Sequence, residues 1–131
     1  MQRVGGLSKS VLIAIVDDDE AVRISAESLI RSLGFAARTF ASAEEFLASD
    51  SVRKIACLIT DVQMPGMSGL ELQEALVARG ERTPIIFITA YPEEGTEKRA
   101  LANGAAGILV KPFDGQSLAD RLEGILRKKK T

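Results

Sequence analysis

Apolar residues along the chain follow two alternating rhythms. "VLIAIV" (11–16) is a continuous run with β-branched members, the pattern of a strand buried on both faces. The next stretch repeats its apolar residues at helical spacing, with Val22, Ala26, Leu29, Ile30 and Leu33 on one face and Gly34 as a stop signal. "FAARTF" (35–40) is a less apolar strand, suited to a sheet edge. "SAEEFLAS" (42–49) opens a short helix, with Ser42 and Glu45 in a capping-box arrangement. "KIACLIT" (54–60), "PIIFIT" (84–89) and "AGILV" (106–110) supply three further strands. Helices are predicted over roughly 68–79, over 94–102 and near the end, where Leu118, Leu122, Ile125 and Leu126 recur at three- and four-residue spacings. The helix at 94–102 is the weakest, with Gly95 in its first turn and Leu101 as its strong apolar anchor.

Five short strands, each followed by a helix, predict a parallel sheet covered on both faces, a doubly wound α/β sandwich. At 131 residues the chain is expected to form one domain over 10–127, with a flexible extension at 1–9 and a basic tail at 128–131. The tail reads either as cations complementing a helix end or as a linker towards a further domain. The formal charge of −1 gives no basic excess, which argues against direct nucleic-acid contact. No apolar run reaches signal-peptide or membrane-spanning length, so a cytoplasmic location is expected.

The absence of histidine excludes histidine-based catalysis and metal ligation by this chain. The single cysteine, Cys57, sits in an apolar run and reads as a small buried hydrophobe. Candidate chemistry lies instead at the carboxyl ends of the strands, where ligands collect in open α/β sheets. Strand one ends in Asp17, Asp18 and Asp19, strand three in Asp61, strand four in Thr89, and strand five in Lys111 before Pro112. Taken singly, each has a plain explanation. An aspartate before a helix is commonly an N-cap, and Asp19 best fits that role. Asp61 could be a turn residue, Thr89 could satisfy a loop, and Lys111 could be a solvated strand end. Together they suggest more. Converging carboxylates repel unless a cation holds them, and an all-oxygen donor set suits Mg²⁺. A lysine and a hydroxyl beside that site would accommodate a phosphoryl group, with a carboxylate as the available nucleophile.

The stretches "IVDDDE", "LITDVQMPGMSG", "FITA" and "GAAGILVKPF" resemble, in order and spacing, the receiver domain of two-component response regulators. "SAEEFLAS" and "PGMSGLEL" look closest to receivers of LuxR-type regulators. The resemblance implies a flavodoxin-like sheet of strand order 2-1-3-4-5. It implies that Asp61 accepts phosphate from a phosphohistidine on a sensor histidine kinase. Asp18, Asp61 and the Gln63 carbonyl would ligate Mg²⁺, with Asp17 acting through water. Thr89 and Lys111 would hold phosphoryl oxygens, and the Lys111–Pro112 bond would be cis. Such a domain is a signalling module rather than an enzyme, catalysing only its own phosphorylation and dephosphorylation. Its partners would be the kinase, an output partner or domain, and a second copy docked through the 94–127 face, with no membrane contact.

One position departs from the family pattern. Most receivers carry Phe or Tyr three residues before the lysine, and Ile108 stands there. Signalling then runs through the backbone of the 94–102 helix, or another aromatic substitutes. Tyr91 is the candidate, and its plainer reading is an exposed loop residue. Gln63 and Tyr91, each two residues beyond a site residue, are expected to flank the phosphoryl group and slow attack by water. Two rival functions are a pseudo-receiver that binds partners without phosphorylation and a small Mg²⁺-dependent aspartyl-phosphate phosphohydrolase. "DVQ" lacks the second aspartate expected of the latter.

Overall fold

The computed structural model describes residues 11–130, with side chains to residue 127. The extension expected at 1–9 and the side chains of the basic tail lie outside the described residues. Five strands form one parallel sheet: β1 (Leu12–Val16), β2 (Ala36–Phe40), β3 (Cys57–Asp61), β4 (Ile85–Thr89) and β5 (Gly107–Val110), in the order β2-β1-β3-β4-β5. Five helices connect and follow them: α1 (Glu20–Ser32), α2 (Ala43–Ala48), α3 (Gly69–Ala78), α4 (Glu94–Ala102) and α5 (Gly115–Lys130). A 3₁₀ turn over Asp50–Arg53 precedes β3, which is why that strand begins at Cys57 rather than at Lys54.

Strand alternation sorts the apolar residues into two cores. Ile13, Ile15, Cys57, Ile59, Ile86 and Ile88 face one layer, where Ala26 and Ile30 of α1 and Leu118 and Leu122 of α5 meet them. Ala14, Val16, Leu58, Ile85 and Phe87 face the other, against Ala43 and Phe46 of α2, Leu70, Leu72 and Leu76 of α3, and Ala100 of α4. Burial on both faces explains why β3 and β4 are fully buried along their length, while edge strand β2 exposes Arg38.

Two local expectations are corrected. Leu101 is not the anchor of α4; it is 55% exposed, and the inward position belongs to Ala100 at 1%. The 100° step per residue turns Leu101 outwards once Ala100 packs on the sheet. The box at α2 is half formed: Ser42 accepts from Glu45 N at 3.1 Å, but the Glu45 carboxylate accepts from Ala41 N at 3.2 Å. The complete capping box is at α3, between Ser68 and Glu71.

Candidate functional site

The parallel register brings the strand ends to one edge. Val16 pairs with Thr60, Asp61 with Ile88, and Thr89 with Val110, so Asp17, Asp61, Thr89 and Lys111 all emerge at the carboxyl side. Backbone bonds carry the ladder past the strands and fix these positions. Asp17 N donates to Phe40 O at 3.1 Å, Val62 N to Ile88 O at 3.0 Å, and Lys111 N to Thr89 O at 2.7 Å. The Lys111–Pro112 peptide is cis.

The acidic residues have divided their roles. Asp19 is the N-cap of α1, accepting from Ala21 N at 2.9 Å and from Val22 N at 3.4 Å. Asp17 is fully buried, and its Oδ1 accepts from Asp19 N at 2.8 Å. Asp18 is exposed, yet its carboxylate belongs with those of Asp17 and Asp61 in a cluster whose oxygens lie within 4.8 Å of one another. Lys111 Nζ bridges the two buried members, 3.1 Å from Asp17 Oδ2 and 3.1 Å from Asp61 Oδ2. The Asp17 contact is a charge contact rather than a directed bond, because buried Asp17 Oδ2 accepts no well-aligned hydrogen bond. Asp61 Oδ1 accepts from Gln63 N at 3.3 Å.

Burial and charge oppose each other at this site. Burial raises the pKa of Asp17, the Asp19 N–H lowers it and the Asp61 charge raises it; with Lys111 counted as well, it stands above the ordinary 3.8. Burial lowers the pKa of Lys111, but the bond to Asp61 and the close Asp17 carboxylate outweigh it and leave the ammonium above 10.5. Both partners therefore shift upwards: the lysine is well compensated, whereas Asp17 sits beside a second carboxylate and has one oxygen unsatisfied. That oxygen, which faces the ammonium but accepts no directed hydrogen bond, fits a hard divalent cation together with the other carboxylates of the set.

The remaining expected residues are placed less centrally. Thr89 is buried at 3%, and its hydroxyl accepts from Tyr91 N at 3.1 Å. The Tyr91 side chain is 70% exposed, as its plainer reading had it, and Gln63 is exposed. Ile108 is half-buried and packs on the same core as Phe87. Spacing alone did not reveal two supporting residues. Arg23 Nη1 donates to the Asp17 carbonyl at 2.7 Å, a cation one turn into the helix that follows the acidic triplet. Gly69 lets α3 approach the site; a Cβ there would stand 2.1 Å from the Asp61 carbonyl oxygen. A cavity of about 600 Å³ lined by Pro84, Ala106, Arg121 and Ile125 lies at the opposite end of β4 and β5, away from the carboxylates.

Known proteins resemble this chain over most of its length. A family profile described as "Response regulator receiver domain" matches residues 13–123. The transcriptional regulatory protein TdiR of Thauera aromatica is 40% identical over 114 residues, 87% of this chain and 50% of that protein. The transcriptional regulatory protein FixJ of Azorhizobium caulinodans is 38% identical over 112 residues, covering 86% and 53%. The solved structure of the response regulator StyR superposes with a TM-score of 0.84 at 42% identity, covering 90% of this chain and 60% of that one. The chain thus spans about half the length of the curated relatives it matches.

Proposed function

The chain belongs to the response regulator receiver domain family, and from that premise we propose that Asp61 is its phospho-acceptor, served by Asp17, Asp18, Thr89 and Lys111. The observation that carries the reading is the Lys111 ammonium, 3.1 Å from both Asp17 Oδ2 and Asp61 Oδ2 at the carboxyl edge of the sheet. A carboxylate held this way is fixed in orientation, which a nucleophile requires.

In the proposed reaction, an Asp61 carboxylate oxygen attacks the phosphorus of a phosphohistidine on a sensor histidine kinase. The P–N bond breaks as the P–O bond forms, and the imidazole leaves with the bonding pair and takes a proton from solvent. Asp18, Asp61 and the Gln63 carbonyl would hold Mg²⁺ directly, with Asp17 supporting it through water. Bound Mg²⁺ would neutralise charge on the phosphoryl oxygens. Lys111 would shift from the Asp17–Asp61 pair onto a phosphoryl oxygen. The Thr89 hydroxyl accepts from Tyr91 N and still has its own hydrogen to donate. Gln63 and Tyr91 flank the group and slow its hydrolysis; an unchanged phosphorylated lifetime in Gln63→Ala and Tyr91→Ala would remove them from the account.

The domain works in signalling, and we assign its output to transcriptional control, as the names of its relatives suggest, through a partner or an attached segment. Exposed Leu101 and Val110 offer apolar contacts for a second copy on the 94–127 face. Among the described residues no helix is long and apolar enough to cross a membrane, and a cytoplasmic site of action suits a kinase-fed module. The deciding experiment is intact-mass measurement with acetyl phosphate and Mg²⁺. Wild type gains one phosphoryl group and Asp61→Asn gains none; no gain on wild type overturns the reading.

A further inference from the structure

We propose that Glu44 is a positioning residue for phosphorylation: its carboxylate, carried on α2, holds in place the loop that follows Asp61. This rests on the phospho-acceptor reading above. Its neighbours are occupied with their own helix, Ser42 accepting from Glu45 N and Glu45 accepting from Ala41 N. Glu44 takes no part in that capping. Its Oε2 instead accepts the N–H of Met67, 23 residues further on, at 2.9 Å.

The loop is shaped to receive it. Gly66 has φ +76°, and a Cβ there would stand 2.7 Å from the same Glu44 oxygen. A bare, left-handed position therefore both turns the chain and leaves room for the carboxylate. The base of the clamp is rigid. Ala43 and Phe46 of α2 are fully buried, Phe46 shares a core with Val62 and Met64, and its ring meets Phe40 edge-on at 5.4 Å.

The consequence falls on Gln63. Its N–H holds Asp61 Oδ1 at the near end of the loop, and Gly69 N closes the loop onto Val62 O at 2.8 Å. Glu44 ties the stretch between them, which carries the Gln63 carbonyl assigned to the metal. A loop fixed before the cation arrives loses less conformational freedom on binding. Glu44 is exposed, so its single bond contributes little to overall stability, and its loss should be read in metal affinity instead.

Mn²⁺ affinity measured by calorimetry on wild type, Glu44→Ala, Glu44→Asp and Glu44→Gln tests the inference. Ala removes the acceptor, Asp keeps the charge but falls one methylene short, and Gln keeps an oxygen at the right reach. The expected result is roughly threefold to tenfold weaker binding for Ala and Asp, with Gln close to wild type. With acetyl phosphate, the Mg²⁺ concentration for half-maximal phosphorylation rises in Ala and Asp, while the rate at saturating Mg²⁺ is unchanged. Wild-type affinity in Ala and Asp overturns the proposal. So does a Gln variant as weak as Ala, which would place the effect in charge rather than in the bond. Loss of folding in both Ala and Asp, followed by circular dichroism, also overturns it, since Glu44 would then be structural. If wild type binds no Mn²⁺ and gains no phosphoryl group, the Asp61 reading itself fails; if wild type does both and the variants match it, only the role of Glu44 fails.

Discussion

Replacing Lys111 by methionine removes the cation that faces Asp17 and Asp61. Its Nζ lies 3.1 Å from an oxygen of each, and those residues are 0% and 6% exposed. At an effective dielectric near 20, one such contact represents roughly 5 kcal/mol of gross attraction. Desolvation of the three groups and repulsion between the carboxylates cancel most of that, and removing one partner from a buried pair costs about 3–5 kcal/mol net. The Lys111 side chain is 19% exposed, so water screens part of the effect. A loss of about 2–3 kcal/mol near neutral pH is therefore expected. The pH dependence fixes the sign. Lys111, held above 10.5 when folded, contributes its stability in full below 10.5 and loses it as pH rises through the folded value. Asp17, held above 3.8, favours the folded chain when protonated, and that contribution is lost as pH rises through its folded value. Without the ammonium, which lowers the Asp17 pKa, Asp17 takes up a proton more readily. The deficit against wild type then narrows on acidification through the range just above 3.8. Urea unfolding followed by circular dichroism, near neutral pH and again at about pH 4.5, measures both quantities. A neutral-pH deficit below about 0.5 kcal/mol, or one that widens on acidification, refutes the reasoning.

Three further outcomes follow from the same geometry. Gly69→Ala should destabilise the fold by about 3 kcal/mol, because its Cβ would meet the Asp61 carbonyl at 2.1 Å; an unshifted urea midpoint would show that α3 can retreat freely. Asp19→Ala should cost about 1 kcal/mol through loss of the α1 cap while leaving phosphoryl uptake intact; loss of uptake by intact mass would place Asp19 in the site. Amides of α4 should exchange faster than those of α1, since Ala100 is the buried residue of α4 and the side chain of its N-cap, Glu93, accepts no backbone N–H of the first turn. Their protection should change with a phosphate mimic, and equal protection in both states would remove α4 as a switch.

Strand identity was legible because β1, β3 and β4 are buried on both faces and therefore written as unbroken apolar runs. β2 was legible for the opposite reason, since an edge strand tolerates Arg38 and Thr39. Helix anchoring in α4 was not. Leu101 is the strongest apolar residue of that segment, but Ala100 takes the buried position, and it carries too weak a hydrophobic signal to stand out. Capping suffered a similar ambiguity, because a serine with a glutamate three residues on predicts two bonds at α2, where the carboxylate takes the N–H of Ala41, one residue before the cap, instead. Propensity identifies the candidates, while tertiary packing chooses among nearly equivalent partners.

The site shows a sharper division. Asp17, Asp18, Asp61, Thr89 and Lys111 could be read from sequence because a parallel sheet turns strand ends into neighbours, so position along each strand substitutes for distance in space. Arg23, Glu44 and Gly69 could not, because their contacts join a helix to a loop or to a strand end, and no periodicity encodes that. Ile108 falls between the two cases. Its departure from the family pattern was visible, and its consequence needed the fold. It packs beside Phe87 in the core and has no ring, while the Tyr91 ring stands in solvent. What links Thr89 to α4 instead is backbone: Tyr91 N–H on the Thr89 hydroxyl, then Glu93 as an N-cap without a side-chain cap bond. On this geometry a shift of Thr89 is expected to reach that helix first through the peptide groups of 90–93, and α4 protection unchanged by a phosphate mimic would refute that route.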